Sequence, residues 1–119
     1  MKTDMDCGGI PTVLTASFLG RTSHAAAAPD LGRSAFDGLL MAVWGIEMMQ
    51  KHMPEGSTID YSIVSSGNMP CNIVPDQAVG VITIRACKED RLSWIKARLE
   101  DIVLGAAMAT GTKSRLELS

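Results

Sequence analysis

Positive charge, aromatic side chains and long apolar runs are all scarce in this 119-residue chain. The formal net charge is −2, so the chain lacks the basic surface by which proteins bind nucleic acid or anionic membranes. The two tryptophans, two phenylalanines and one tyrosine do not alternate with Arg or Lys in the way that indicates a base-stacking surface. The longest apolar run, residues 38–46, is too short to span a bilayer. Nucleic-acid and membrane partners are therefore not expected.

Cysteine and histidine are scarce as well. Cys7, Cys71 and Cys87 are odd in number and widely spaced, which is typical of neither a disulfide framework nor a zinc site. We therefore predict reduced thiols in a cytoplasmic protein. Residues 1–6 carry a net negative charge and no apolar segment follows them, so no signal peptide is predicted. With only two histidines and no ligand cluster, no metal site is expected in this chain.

The length of the chain predicts one domain, residues 1–119, with alternating strands and helices. Hydrophobic periodicity predicts strands at 12–20, 58–66, 77–86 and 113–119 and helices at 35–53 and from Glu89 to Gly111. The order β-α-β-β-α-β predicts an α+β ferredoxin-like sandwich. Its four-stranded antiparallel sheet would have the order 4-1-3-2, with both helices on one face. The two ends would emerge side by side, as in a domain that is inserted into a larger protein.

Apolar residues lie on almost every side of the first predicted helix. If Phe36, Leu39 or Leu40, Val43 and Ile46 face the sheet, other apolar side chains must point elsewhere. These are Met41, Trp44 and Met48, while Met49 could face either way. An apolar patch of this kind usually meets a partner, and the neighbouring second strand is a free sheet edge. We predict a homodimer through this helix and strand, with Met41, Trp44 and Met48 in the interface. The alternative is a deeply buried helix with a few surface methionines.

His24 is the strongest candidate for chemistry. It lies among small residues in the loop after the first strand, where an imidazole can donate a hydrogen bond to a developing oxyanion. The alternative is a histidine that caps a turn or faces solvent. A nucleophilic Cys71 paired with His24 is not favoured, because no helix N-terminus is predicted at Cys71 to activate its thiol.

Two further residues are candidates for substrate binding. Asn72 lies between two prolines in a stiff loop, where its amide could bind a carbonyl or carboxylate. The alternative is an asparagine that completes its own turn. Arg85 is predicted on the third strand, on the face without helices, where it could bind a carboxylate bidentately. The alternative is a surface charge that protects an open sheet face.

These residues occur in segments that together resemble a known family. The segments are Gly20–Pro29, Gly32–Asp37, Asn72–Ala78, Ile84–Ala86 and Ala106–Thr112. In order and spacing they resemble the dimerisation (lid) domain of the zinc-dependent amidohydrolases and metallopeptidases. This family includes aminoacylases, carboxypeptidase G, succinyl-diaminopimelate desuccinylase and aminobenzoyl-glutamate hydrolase, and the chain looks most similar to the amidohydrolase branch.

The resemblance implies a function that depends on a second domain. Two zinc ions and the general-base glutamate would lie in a separate catalytic domain, so this chain alone should be inactive. His24 would reach the partner's active site and stabilise the tetrahedral oxyanion, while Asn72 and Arg85 would hold the substrate carboxylate. The substrate would be an N-acyl amino acid or resemble aminobenzoyl-glutamate. The alternatives are a stand-alone metabolite-binding regulatory module and a purely structural homodimeric domain.

Overall fold

Alternating apolar residues give each strand one buried face, and two helices cover that face. The computed structural model describes residues 10–119; the predictions for Cys7 and for residues 1–6 lie outside this range. The elements are β1 (Thr12–Leu19), α1 (Ala35–Gln50), β2 (Thr58–Ser65), β3 (Gln77–Arg85), α2 (Glu89–Thr110) and β4 (Lys113–Leu118). The sheet order is β2-β3-β1-β4, and all neighbours are antiparallel. The predicted ferredoxin-like α+β fold and strand order are confirmed.

The core lies between the helices and one face of the sheet. Every second residue of β1 and of β3 is buried, as expected for strands that are covered on one side. The largest fully buried side chains come from both layers: Phe18, Ile46, Ile84, Ile95 and Leu99. They belong to one continuous apolar cluster, so both helices of the described residues pack on the same face of the sheet.

Local signals define the helix ends. Ser34 Oγ accepts a hydrogen bond from the Asp37 backbone N–H at 3.2 Å, as predicted for an N-cap. Gly111 ends α2 with a φ of 69°, a conformation that favours glycine. The first helix ends at Gln50, earlier than predicted. After Gln50 the chain forms a turn in which the Met53 N–H donates a hydrogen bond to the Gln50 carbonyl.

The structure settles one position that the helical pattern left open and overturns one expectation. Met49 faces inward; only 5% of it is exposed, because it lies one turn after Ile46 on the sheet-facing side of α1. Cys71 is exposed and free, but Cys87 is disulfide-bonded, so the expectation of reduced thiols fails at that position. Within residues 10–119, no helix is long and apolar enough to cross a membrane.

Candidate active-site loop and dimer surface

The loop that carries His24 is closed at its base by its own backbone. After β1, the chain runs out from Gly20 and returns to Ser34 at the start of α1. Arg21 and Arg33 exchange two backbone hydrogen bonds of 2.8 Å each. A Cβ atom at Gly20 would overlap the Arg33 carbonyl oxygen, so this close approach requires glycine.

A second loop, residues 66–76, runs alongside the first and fixes it. Three backbone hydrogen bonds of 2.8–2.9 Å join the two loops: Gly20 N–H to Asp76 O, Val74 N–H to Ser23 O, and Ala25 N–H to Asn72 O. An isolated β-bridge pairs His24 with Ile73. The fold therefore brings His24 and Asn72 together although they are distant in the sequence. Both residues are exposed, so their side chains are accessible.

Backbone hydrogen bonds also orient the imidazole of His24. Its Nδ1 accepts from the N–H groups of Ala26, at 3.2 Å, and Ala27, at 3.0 Å. An Nδ1 that accepts carries no proton, so this network assigns the proton of the neutral ring to Nε2. The ring thus presents an N–H donor at Nε2, which is the group needed to stabilise a developing oxyanion.

Arg85 lies at the other end of the sheet. It ends β3, whereas the Asn72 loop leads into Gln77 at the start of that strand. Eight residues of extended chain separate these ends by about 26 Å. The Arg85 side chain is exposed, and its burial pattern places it on the face without helices, as predicted. Within one copy of the chain, Arg85 cannot share a small substrate with His24 and Asn72.

Both ends of the domain lie beside Arg85. Thr12 at the start of β1 pairs with Ile84. Ser119, after β4, donates its backbone N–H to the Val13 carbonyl at 2.9 Å. The prediction that the first and last strands bring their outer ends together is therefore correct, and both are remote from His24.

An exposed apolar surface covers the outer side of α1. Met41, Trp44 and Met48 are 46%, 66% and 57% exposed, in agreement with the predicted outward face. Sequence reasoning missed two exposed apolar residues of β2, Ile63 and Val64. Their signal was two consecutive apolar residues that break the alternation of the strand. Together these five residues are called the α1–β2 surface below.

A hydrogen bond ties the helix of this surface to its strand. The Tyr61 hydroxyl donates to Glu47 Oε1 at 2.6 Å. This hydrogen bond is the main reason that the pKa of Tyr61 is raised above its ordinary value; partial desolvation and the Glu47 charge add to it. The contact fixes α1 over the free edge of β2.

The two edge strands differ in charge. β4 presents Lys113, Arg115 and Glu117, and Arg115 Nε lies 3.3 Å from Glu117 Oε1. β2 has a single charged residue, Asp60. Charged side chains on an edge strand discourage pairing with another sheet, so β2 is the edge that is better suited to a partner strand.

The described residues provide no metal site of their own. Within residues 10–119, no three or more His, Cys, Asp or Glu side chains come together in a way that could hold a metal ion. Side chains for zinc therefore cannot be assigned in this part of the chain.

Comparison with known proteins decides the family. A family model described as a peptidase dimerisation domain matches residues 12–109. The chain belongs to this family. The resemblance seen in the sequence is thereby confirmed, including the dimerisation domain and the amidohydrolase relatives.

The curated relatives of this peptidase dimerisation domain are much longer proteins. The chain is 36% identical over 95 residues to a subunit of the p-aminobenzoyl-glutamate hydrolase of Escherichia coli (strain K12), covering 80% of the chain and 20% of that protein. It is 29% identical over 104 residues to the Xaa-Arg dipeptidase of Mus musculus, covering 87% of the chain and 24% of the relative. The chain thus spans about a fifth to a quarter of their lengths.

Solved structures show the same fold. An aminobenzoyl-glutamate utilization protein from Klebsiella pneumoniae matches with a TM-score of 0.77 and 21% identity, covering 91% of the chain and 27% of that structure. A hydantoinase/carbamoylase family amidase from Burkholderia ambifaria matches with a TM-score of 0.82 and 15% identity, covering 92% and 27%. At these identities the likeness supports the architecture alone.

Proposed function

We propose that this chain is the dimerisation and lid domain of a zinc-dependent amidohydrolase, and that it supplies His24 to the active site of a partner subunit. The substrate is an N-acyl amino acid or a molecule like aminobenzoyl-glutamate. Family membership and the hydrolase relatives support the reaction class. The observation that carries the proposal is that His24 and the two ends of the domain lie at opposite ends of the sheet.

This separation favours catalysis between subunits. A catalytic domain joined to the start of β1 and the end of β4 lies beside Arg85. His24 of the same chain is then about one strand length, roughly 26 Å, away. Two sheets paired through β2 about a two-fold axis run in opposite directions. The His24 loop of one copy therefore comes to the Arg85 end of the other.

Each active site is then a composite of two chains. The Nε2–H of His24 donates to the scissile carbonyl oxygen and stabilises the oxyanion as it forms, an effect of about 10²–10³ in kcat for one such donor. The Asn72 amide, from the same loop pair, and Arg85, from the other copy, bind the substrate carboxylate. Two zinc ions, held by residues of the catalytic domain, would supply the activated water.

The partner is a second copy of the chain. The α1–β2 surface is apolar and lies next to the less charged sheet edge, whereas the charges of β4 disfavour pairing there. A two-fold axis beside β2 brings identical surfaces together, so that Trp44 and Met48 of the two copies approach each other.

Replacing His24 with alanine in the complete enzyme tests the catalytic role. With aminobenzoyl-glutamate as the probe substrate, kcat should fall about 10²–10³-fold while light scattering still reports a dimer. His52→Ala is the matched control, since His52 is the other histidine of the chain and is exposed beyond the end of α1. Near-normal turnover of His24→Ala would contradict the proposal.

Mixed dimers separate catalysis between subunits from catalysis within one. His24→Ala subunits are co-expressed with subunits that keep His24 but carry an inactivated catalytic domain. If His24 acts on the partner, the mixed dimer contains one intact composite site and regains activity. If His24 acts within its own subunit, every site lacks one component, and the absence of recovery would refute the arrangement.

A further inference from the structure

Gly32 closes the His24 loop against the side chain of Ser23, the residue immediately before His24. A Cβ atom placed on Gly32 would overlap Ser23 Oγ and would lie 3.1 Å from Val74 Cγ2. We propose that Gly32 is a positioning residue, whose missing side chain lets the loop close and hold His24 in place. This inference rests on the catalytic role proposed above for His24.

Position 32 requires glycine because there is no room for a side chain, and not because of its backbone conformation. Gly32 has φ −87° and ψ 154°, an extended conformation that any residue adopts. An alanine at position 32 therefore adds no backbone strain, and its only direct effect is the contact with Ser23 and Val74. This makes Gly32→Ala a specific probe of the closed loop.

Ser23 cannot easily move away from an added methyl group. Its Oγ is buried within residues 10–119, and Ser23 Cβ would itself lie 3.3 Å from the added Cβ, so rotation of the hydroxyl relieves only part of the overlap. Its carbonyl oxygen accepts the Val74 N–H at 2.9 Å. A movement of Ser23 would therefore also displace the backbone hydrogen bond that joins the two loops.

The imidazole lies one residue beyond this contact. A shift of Ser23 displaces the backbone on which His24 and its neighbour Ala25 depend, including the 2.9 Å bond from Ala25 N–H to the Asn72 carbonyl. A misplacement of about 1 Å can lower turnover by as much as about 100-fold. Gly32→Ala should therefore impair catalysis without touching the substrate, the metal ions or the α1–β2 surface.

The test is steady-state kinetics of the complete enzyme with Gly32→Ala, Ser23→Ala and the double variant. Gly32→Ala should lower kcat by up to about 100-fold with little change in KM or in the dimer. Ser23→Ala alone should keep kcat, because it removes only an unpaired hydroxyl. The double variant should recover most of kcat, because the atom that the new Cβ overlaps is gone. Gly105→Ala is the matched control, since nothing lies within 4 Å of a Cβ there.

An NMR measurement reports on His24 without relying on activity. In the 119-residue chain alone, which has two histidines, two-bond ¹H–¹⁵N correlation spectra at pH 8 resolve His24, with His52 as the internal reference. The Nδ1 chemical shift of His24, which depends on the hydrogen bonds from Ala26 and Ala27, should move toward that of His52 in Gly32→Ala and return in the double variant.

The outcomes separate this inference from the function on which it rests. If His24→Ala keeps full turnover, the proposed function fails. If His24→Ala is impaired but Gly32→Ala keeps both full turnover and the original Nδ1 chemical shift of His24, the positioning role alone is wrong. A loss in Gly32→Ala that the double variant does not reverse also overturns it, because the effect would then not pass through Ser23.

Discussion

Replacing Trp44 with alanine measures how much the outer face of α1 contributes to dimerisation. Trp44 is 66% exposed in the single chain, so its removal should leave the core intact. A buried aromatic side chain covers about 150–250 Å², which leaves roughly 130 Å² of Trp44 for a partner to cover. At about 25 cal/mol per Å², this area stabilises association by up to about 3 kcal/mol per copy.

A symmetric dimer contains the contact twice. Trp44→Ala should therefore weaken association by up to about 6 kcal/mol, which corresponds to about four powers of ten in Kd. Sedimentation velocity over a series of protein concentrations measures this change, and circular dichroism checks that the fold is retained. Trp94→Ala is the matched control, because Trp94 is the other tryptophan, lies on α2 and is 40% exposed.

The two variants together decide whether this face is used. We expect a monomer from Trp44→Ala and a dimer from Trp94→Ala at the same concentration. Undiminished dimerisation of Trp44→Ala, or equal weakening by both substitutions, would refute the assignment of Trp44 to the interface.

Two further predictions concern the fold. Tyr61 is the single tyrosine, so absorbance at alkaline pH reports it alone; because the hydrogen bond to Glu47 raises its pKa, Glu47→Ala should move the transition to lower pH. The neutral phenol is the stabilised form, so this contribution to stability is present below about pH 10 and is lost as pH rises through the raised pKa; an unchanged transition in Glu47→Ala would contradict it. Leu99→Ala removes a fully buried side chain and should lower the free energy of unfolding by about 2–5 kcal/mol in urea titrations. Leu104→Ala, on the exposed side of the same helix, should change it by less than about 1 kcal/mol; comparable losses would refute the core assignment.

Much of the fold could be predicted because the signals are local. The alternation along β3 predicted which side of that strand is covered, and Ile82 and Ile84 are buried on it. Ser34 and Gly111 marked helix ends through hydrogen bonding and backbone conformation that involve only a few neighbouring residues. The outward position of Met41, Trp44 and Met48 followed from helical spacing in the same way.

The sequence was not enough where contacts between residues far apart in the chain determine the position of a side chain. The helical pattern allowed Met49 to face either way, and packing against the sheet buried it. The exposure of Ile63 and Val64 depends on where β2 leaves its ladder with β3, which shifts register between Ile63 and Ser65. No local sequence pattern pointed to Gly32, because what matters there is that it leaves room for the Ser23 side chain.

By itself, the sequence determined the order of elements, their buried faces and several helix ends, because periodicity and capping act over a few residues. Only the tertiary structure decided how those residues are grouped. Backbone hydrogen bonds join the loop that carries His24 to the loop that carries Asn72, and the length of one strand keeps Arg85 away from both. Distances of this kind depend on strand pairing across the whole chain, which no local pattern specifies.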